Sequence, residues 1–202
     1  MLTLFHAPMS RSSRIVTLID EMGIADQITL KVVNITRMDG SGGADPANPH
    51  PEAKAPALVD KGALLTESAA IMLYLTQTFP DSGMAPKIGA ADYGAYLNWM
   101  VWYGSVMEPV LIHSYAGLTH PALERTYRGT AEVNARLHTA LERGPWLLGE
   151  QFSAADILCQ SPYAWFKDAT PDDPLIQDWV TRVSARPAKA RTMASDSARM
   201  AA

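Results

Sequence analysis

Apolar positions in the first third of the chain switch repeatedly between the spacing of a strand and the spacing of a helix. Residues 2–5 predict a short strand, residues 14–22 carry apolar side chains at helical spacing, and residues 27–33 predict a second strand. Strand, helix and strand within about thirty residues is the size of a βαβ unit. The chain is therefore expected to begin as an α/β domain.

The alternation continues after a long polar segment. Residues 36–51 are rich in glycine, aspartate, asparagine and proline, and long loops of this kind are usually functional or mobile. Two short strands then flank Gly62, and a helix is predicted from Glu67 to about Phe79. The order β-α-β, loop, β-β-α is that of a thioredoxin-like domain, which we predict for residues 1–80.

The pattern changes to helices alone after a short linker. Proline, serine and glycine near residue 83 predict a break between domains, which we place at residues 81–86. Aromatic and methionine side chains then recur every three or four residues from Tyr93 to Met107, and Pro109 is expected to perturb that helix. We predict an all-α helical bundle over residues 87–202.

Local signals mark several later helices. Residues 123–141 form an amphipathic stretch, and Ser153 and Asp156 have the spacing of a capping box, in which each side chain satisfies a backbone N–H group of the other residue. A last helix is predicted from Pro187, with a frayed tail over residues 195–202.

Composition and charge narrow the class of protein. The 202 residues are 48% hydrophobic and 19% charged, which excludes disorder of the whole chain. The formal net charge is −4 with scattered lysine and arginine, so nucleic acid is not an expected partner. The chain starts without a signal-peptide pattern and no apolar run reaches the length of a membrane span, so we expect a cytoplasmic protein. The single cysteine, Cys159, can form neither an internal disulfide nor a thiolate zinc site.

The first candidate for binding chemistry is the start of the helix at Glu67. A helix N-terminus offers unpaired N–H groups and the positive end of the helix dipole, so Ser68 and its neighbours suit a carboxylate. Glu67 suits the ammonium group beside that carboxylate, and together they fit an α-amino-acid head group. Acid and serine are also common in first helical turns, so simple capping is the alternative.

The second candidate is the serine cluster after the first strand. In the plainer interpretation, one of Ser10, Ser12 and Ser13 caps the first helix and does nothing more. In the functional interpretation, Ser10 donates a hydrogen bond to a bound thiolate, which lowers the pKa of that thiol. A charge-assisted bond of about 1.5–3 kcal/mol corresponds to roughly one to two pKa units. His6, at the end of the strand, is expected to be a core or edge histidine rather than a catalytic one.

Together these features resemble a known family. A hydroxyl after the first strand, a proline before the third strand, an acid-serine pair at a helix start and an all-helical second half occur in the order and spacing of the cytosolic glutathione transferases. The chain resembles the bacterial Ser-type members, whose serine lies a few residues ahead of an arginine, as Ser10 lies four residues ahead of Arg14. Members that carry out disulfide exchange place a cysteine near Met9 and Ser10, so redox exchange through a protein thiol is disfavoured here.

The resemblance assigns further residues to bound glutathione. It implies a cis peptide bond at Pro56, with the backbone of Ala55 pairing with the cysteinyl unit of the tripeptide. It places Lys54 against the glycine carboxylate, for which a solvated loop lysine is the alternative, and Glu67 with Ser68 against the γ-glutamyl end. Glutathione is then a co-substrate, and neither a metal nor a bound organic cofactor is expected.

The resemblance also implies an activity. We expect a glutathione transferase that conjugates the glutathione thiolate to a small hydrophobic electrophile in detoxification, working as a homodimer. The electrophile pocket is expected beside the aromatic stripe of the fourth helix, with Tyr103 and Met107 as candidates, although such a stripe is more often core. The alternatives are a non-catalytic ligand-binding or interaction protein of this fold, and a specialised glutathione-dependent lyase, dehalogenase or peroxidase.

Overall fold

The computed structural model describes residues 2–201, the side chain of Lys167 excepted. The first part of the chain forms a mixed sheet with helices packed on it. Its elements are β1 (Leu2–His6), α1 (Ser13–Glu21), β2 (Ile28–Val32), β3 (Ala57–Asp60), β4 (Ala63–Leu65) and α2 (Ser68–Thr78). The predicted thioredoxin-like order of strands and helices is therefore confirmed.

The four strands lie in the order β2-β1-β3-β4. β1 is parallel to β2, while β3 is antiparallel to both of its neighbours. Phe5 of β1 lies opposite Ala57 of β3, and Leu65 of β4 lies opposite Leu58 of β3. Consequently β1 and β4 end, and β3 begins, at one and the same end of the sheet.

Apolar side chains from the sheet and its helices form the core of this unit. The side chains with 0% exposure include Leu4, Ile15, Leu18, Leu58, Ile71, Met72 and Leu75. Burying a side chain of this size stabilises the fold by about 1.5–3 kcal/mol, so this cluster fixes α1 and α2 on the sheet.

The remaining elements are helical. They are α3 (Tyr93–Trp102), a π-helical turn (Tyr103–Met107), α4 (Glu108–Tyr115), α5 (Pro121–Tyr127), α6 (Thr130–Leu141), α7 (Ala154–Trp165), α8 (Pro174–Ser184) and α9 (Pro187–Met200). The predicted all-α region is thus confirmed. Within residues 2–201, none of the helices has the length and apolarity needed to cross a bilayer.

Two local predictions about these helices can be compared with the structure. The predicted perturbation at Pro109 is present, because the helix widens into the π-helical turn and Pro109 then lies in the first turn of α4, where its missing N–H group is tolerated. The amphipathic stretch of residues 123–141 is two helices rather than one. Arg128 and Gly129 separate them with φ angles of 64° and 94°, which an α-helix does not accommodate.

The capping box at the start of α7 is confirmed and serves a buried cluster. Ser153 and Asp156 satisfy each other's backbone N–H groups, and the Asp156 carboxylate also accepts from Leu147 N–H at 2.9 Å and from the Trp179 indole N–H at 3.0 Å. The Ser153 hydroxyl donates to the same carboxylate at 3.2 Å. Burial raises the pKa of Asp156, and these hydrogen bonds only partly oppose that shift.

The last helix packs with the first part of the chain. The chain divides into one compact unit that contains the residues up to Ser82 together with α9, and a second unit, Gly83–Arg186. The prediction of a frayed tail from residue 195 is wrong as far as Met200, because α9 continues to that residue and Asp196 is only 1% exposed. Residue 202 lies outside the described residues.

Candidate functional site

Three segments that carry predicted site residues lie at the same end of the sheet. The first follows β1 and contains Ser10, the second precedes β3 and contains Lys54 and Ala55, and the third follows β4 and contains Glu67 and Ser68. The strand directions bring these segments together, since β1 and β4 end where β3 begins. The helices α1 and α2 also begin there, so their positive dipole ends lie at this end of the sheet.

Each of the three segments contains a non-glycine residue with a left-handed backbone. The φ angles are 53° at Met9, 51° at Ala53 and 67° at Glu67. Such conformations are unfavourable for residues with a Cβ atom, and they persist only where the surrounding structure enforces them. They concentrate at ligand sites, so their position beside Ser10, Lys54 and Ser68 favours a binding function for this end of the sheet.

Ser10 is half-buried and held by its neighbours. Its Oγ atom lies 2.8 Å from Ser12 Oγ and accepts a hydrogen bond from the Ser12 N–H group at 3.1 Å. Ser12 occupies the N-cap position of α1, and in the described part of the chain its side chain makes no capping hydrogen bond. The cluster therefore orients hydroxyl groups toward one another as well as fixing the local turn.

His6 and Asp196 continue this hydrogen-bonded chain into the interior. Nδ1 of His6 lies 2.7 Å from Ser12 Oγ, and Nε2 lies 2.9 Å from Oδ1 of Asp196. His6 is 1% exposed, which agrees with the expected core histidine, but both of its ring nitrogens have partners. Asp196 is not among the site residues predicted from the sequence, because it lies 190 positions from His6 and carries no local motif.

The Asp196 carboxylate also fixes the loop before α1. Its Oδ2 atom accepts from the Ser13 hydroxyl at 2.5 Å and from the Met9 N–H group at 2.9 Å. Burial raises the pKa of Asp196, but the hydrogen bonds from His6, Ser13 and Met9 outweigh burial and hold the pKa below its usual value. Asp196 is therefore an ionised acceptor at neutral pH.

The segment before β3 contains the cis peptide bond that the resemblance implies, between Ala55 and Pro56. Lys54 is exposed, and its ammonium group forms an ion pair with Glu52 that lowers the pKa of that carboxyl group. The Lys54 carbonyl accepts a hydrogen bond from the Asn48 side chain at 2.9 Å, which ties the long loop to this segment.

The segment after β4 presents a helix start. Glu67 is exposed at the N-cap position of α2, and Ser68 is buried at 9% exposure. In the part of the chain that the structure describes, the Glu67 side chain does not cap the first turn, unlike the N-cap side chains of α5, α7 and α8. The alternative that the pair is merely a side-chain cap therefore gains no support from Glu67.

The predicted electrophile-pocket residues lie in the second unit. Tyr103 and Met107, both on the π-helical turn, are 2% and 0% exposed. An open cavity of about 410 Å³ lies elsewhere in this unit, between α3 and α6, and neither residue lines it. Arg136 stacks there on the rings of Trp99 and Trp102, at 4.8 and 4.4 Å from the ring centroids.

Among residues 2–201, no group of three or more acidic, histidine or cysteine side chains could hold a metal ion.

The sequence is similar to a known protein family and to proteins of known name. The family model described as "Glutathione S-transferase, N-terminal domain" matches residues 4–83. The Escherichia coli protein "Disulfide-bond oxidoreductase YfcG" is 30% identical over 162 residues, covering 71% of this chain and 73% of that protein.

Solved structures agree with these sequence matches. A glutathione transferase from Methylococcus capsulatus has a TM-score of 0.78 and 25% identity, covering 98% of this chain and 99% of that one. The theta class glutathione S-transferase of Xanthomonas axonopodis, solved with glutathione bound, has a TM-score of 0.71 and 25% identity, covering 95% and 96%.

The fold class is therefore a thioredoxin-like domain followed by an all-helical region, with a candidate site at one end of the sheet. By sequence, the chain belongs to the glutathione S-transferase family.

Proposed function

We propose that this protein is a glutathione transferase that binds glutathione at the end of the sheet where β1 and β4 end and β3 begins. The observation that supports this most directly is the convergence there of Ser10, the Ala55–Pro56 cis peptide and the start of α2. Among the described residues, the Glu67 side chain makes no capping hydrogen bond at that start. The glutathione bound to a relative of similar fold agrees with the proposal.

The spacing of the strands suits an extended tripeptide. Neighbouring strands lie about 4.8 Å apart, so the segments that follow β1 and β4 are roughly 10 Å apart across β3. Three extended residues span about 10 Å. In the proposed pose the sulfur lies at Ser10, the cysteinyl backbone pairs with Ala55, the γ-glutamyl head group lies at Glu67 and Ser68, and Lys54 reaches the glycine carboxylate.

The proposed reaction begins with an ionised thiol. Donation from the Ser10 hydroxyl to the glutathione sulfur would stabilise the thiolate by about 1.5–3 kcal/mol, which lowers its pKa by roughly one to two units. The free thiol has a pKa of about 8.5, so this shift makes a large share of bound glutathione nucleophilic at neutral pH. The thiolate then attacks an electrophilic carbon and forms a thioether. In a substitution the bond to a leaving group such as chloride breaks, and in an addition a carbon–carbon double bond opens and the neighbouring carbon takes up a proton.

The electrophile and the assembly belong to the same proposal. We propose a small hydrophobic electrophile bound by the helical region, with Tyr103 and Met107 beside its pocket, and a cytoplasmic homodimer that acts in detoxification. Because both side chains are almost fully buried, they would shape the pocket through packing rather than through exposed surface.

An activity assay on variants tests the proposed function. Purified protein should conjugate glutathione to chlorodinitrobenzene or to another member of a small electrophile and peroxide panel. Ser10→Ala should lower kcat about tenfold or more while changing the Kd for glutathione much less, because the hydroxyl acts on the charged sulfur. Ser197→Ala, an exposed serine on α9, is the matched control and should leave both constants unchanged. Tight glutathione binding without activity on any substrate would instead indicate a carrier.

Glutathione-dependent thiol–disulfide exchange is a second candidate. It is favoured by the similarity to the protein named disulfide-bond oxidoreductase. Cys159 is 0% exposed, so the attacking thiolate in such a reaction would be that of glutathione itself. It breaks the substrate disulfide, forms a mixed disulfide with one sulfur and releases the other as a thiolate. Faster turnover of hydroxyethyl disulfide than of every carbon electrophile in the panel would establish this candidate over conjugation.

A further inference from the structure

A chain of hydrogen bonds connects Ser10 to the buried residues Ser12, His6 and Asp196. Which hydroxyl group donates to which depends on the protonation of His6. The chain of hydrogen bonds runs from Ser10 Oγ to Ser12 Oγ over 2.8 Å, from Ser12 Oγ to His6 Nδ1 over 2.7 Å, and from His6 Nε2 to Asp196 over 2.9 Å. Ser12, His6 and Asp196 are at most 1% exposed, whereas Ser10 is half-buried and is the member of the chain that a ligand can reach.

Two arrangements of hydrogen bonds connect Ser10 to His6 through the Ser12 hydroxyl. Its oxygen accepts the Ala7 N–H group at 3.0 Å, which leaves one acceptor position and one proton for Ser10 and His6. Either Ser10 donates to Ser12 and Ser12 donates to His6, or His6 donates to Ser12 and Ser12 donates to Ser10. The Ser12 hydroxyl can also donate to the Ala7 carbonyl at 3.1 Å, which is a longer contact than those with Ser10 and His6.

The protonation of His6 distinguishes the two arrangements. Asp196 is an ionised acceptor, so Nε2 of His6 carries a proton in both. In the inward arrangement Nδ1 accepts from Ser12 and His6 is neutral, and the Ser10 proton points away from a ligand. In the outward arrangement Nδ1 also carries a proton, His6 is an imidazolium beside the Asp196 carboxylate, and the Ser10 proton is free to point at a bound sulfur.

We propose that Ser12, His6 and Asp196 form a proton relay that removes the thiol proton of bound glutathione through Ser10, an inference that rests on the proposed function. The glutathione S–H bond breaks and its proton passes to Ser10 Oγ. The former Ser10 proton passes to Ser12 Oγ, and the former Ser12 proton passes to Nδ1 of His6. The products are a thiolate and an imidazolium, and no electrons change hands. After conjugation the imidazolium returns its proton along the same serines to the leaving group or to water.

Asp196 acts through His6 and is a positioning residue in this relay. Its carboxylate fixes the ring so that Nδ1 faces Ser12, and its charge stabilises the imidazolium. By accepting from Met9 N–H and from Ser13, it also holds the loop that carries Ser10. The last residue of the relay is therefore contributed by α9, at the opposite end of the chain from β1.

Other charged groups near the pair come from the elements packed on it. Lys189 lies on α9 and Arg14 on α1, while Arg37 donates to the Pro8 carbonyl at 3.1 Å. Burial lowers the pKa of Lys189 and the Arg14 charge lowers it further, against the opposing effect of Asp196. Along the same two helices, Arg191 and Asp20 form an exposed ion pair. None of these groups lies between Ser10 and His6 in the chain of contacts.

Nitrogen NMR of the histidine rings tests the relay in the unaltered protein. Saturation with glutathione at neutral pH should change Nδ1 of His6 from unprotonated to protonated, whereas saturation with S-methylglutathione, which has no thiol proton, should leave it unchanged. The His6→Asn variant assigns the signal among the five histidines. An ionised bound thiol with no change at His6 overturns the relay alone. A bound thiol that stays protonated overturns both the relay and the proposed function.

Variants test the relay by a second readout. His6→Asn and Asp196→Asn should each raise the pKa of the bound thiol by about one unit and lower kcat/KM at neutral pH about tenfold, with the pH profile displaced to higher pH. The Kd for S-methylglutathione should stay within about threefold of the original, because the relay acts on the proton and not on the tripeptide. Arg191→Gln, which removes the exposed pair between α1 and α9, should change none of these values. Unchanged pH profiles in folded His6→Asn protein would overturn the relay.

Discussion

The Asp196 carboxylate lies 2.9 Å from Nε2 of His6, although the two residues are 190 positions apart. This contact joins the last helix to the end of β1, where the candidate sulfur site begins. The same carboxylate receives the Met9 N–H group and the Ser13 hydroxyl. One buried residue thus stabilises the docking of α9 and the shape of the loop that presents Ser10.

Removing Asp196 should destabilise the protein far more than removing a surface pair on the same helices. Asp196→Ala leaves His6, Ser13 and Met9 without their acceptor and should lower the free energy of unfolding by about 3 kcal/mol. Arg191→Gln removes an ion pair with Asp20 whose side chains are 62% and 32% exposed, and it should change that free energy by less than about 1 kcal/mol. Urea denaturation of both variants measures the difference. Equal losses would contradict the role assigned to Asp196.

The lowered pKa of Asp196 predicts the pH dependence of stability. The folded pKa lies below the ordinary value of about 3.9, so the stabilisation from ionised Asp196 is fully present above that pH and is lost as the pH falls through the folded value. The unfolding free energy of the original protein should therefore fall more steeply in acid than that of Asp196→Asn. Urea midpoints measured between neutral and acidic pH check this, and parallel curves would count against it.

Substitutions at the start of α2 should lower the affinity for glutathione without changing the pKa of the bound thiol. Glu67→Gln removes the proposed partner of the glutathione ammonium, and Ser68→Ala removes a hydroxyl beside its carboxylate. Each loses a charge-assisted hydrogen bond and should raise the Kd by about tenfold or more. Calorimetry gives the Kd, while the pKa of the thiol in saturated protein should stay as it was. Glu132→Gln, an exposed acid on α6, is the control.

The role proposed for Lys54 can be separated with a shortened ligand. Lys54→Met should weaken binding of glutathione but not of γ-glutamylcysteine, which lacks the glycine carboxylate. Glu52→Gln should strengthen glutathione binding modestly, because it releases Lys54 from its exposed ion pair. Equal losses of affinity for both ligands in Lys54→Met would return Lys54 to the solvated loop lysine that was the alternative interpretation.

Periodicity predicted the sheet and most helices because those elements are determined locally. The alternating apolar positions around β1 and the capping box at Ser153 and Asp156 need no distant partner to be recognised. The break at Arg128 was not predicted, because the amphipathic pattern of residues 123–141 continues across it. Helix α5 ends there because Arg128 has a left-handed backbone conformation, which that pattern does not indicate.

The docking of α9 could not be predicted in this way. Its buried stripe consists of Ala188, Thr192 and Asp196, spaced four residues apart, with exposures of 2%, 3% and 1%. Two of the three are polar, so the stripe carries no apolar signal and resembles a solvated surface. Its partners, which include Thr17 and His6, come from the opposite end of the chain. The cis peptide at Pro56 likewise followed only from the family resemblance.

The central claim is that the Ser10 hydroxyl stabilises bound glutathione as a thiolate. Titrating the thiolate absorbance of bound glutathione tests this claim most directly. The titration is run at saturation on the original protein, on Ser10→Ala and on the control Ser197→Ala. The bound thiol should titrate roughly one to two pKa units below free glutathione in the original protein and the control, and close to the free value in Ser10→Ala. The same pKa in all three proteins would contradict the proposal that the Ser10 hydroxyl stabilises the thiolate.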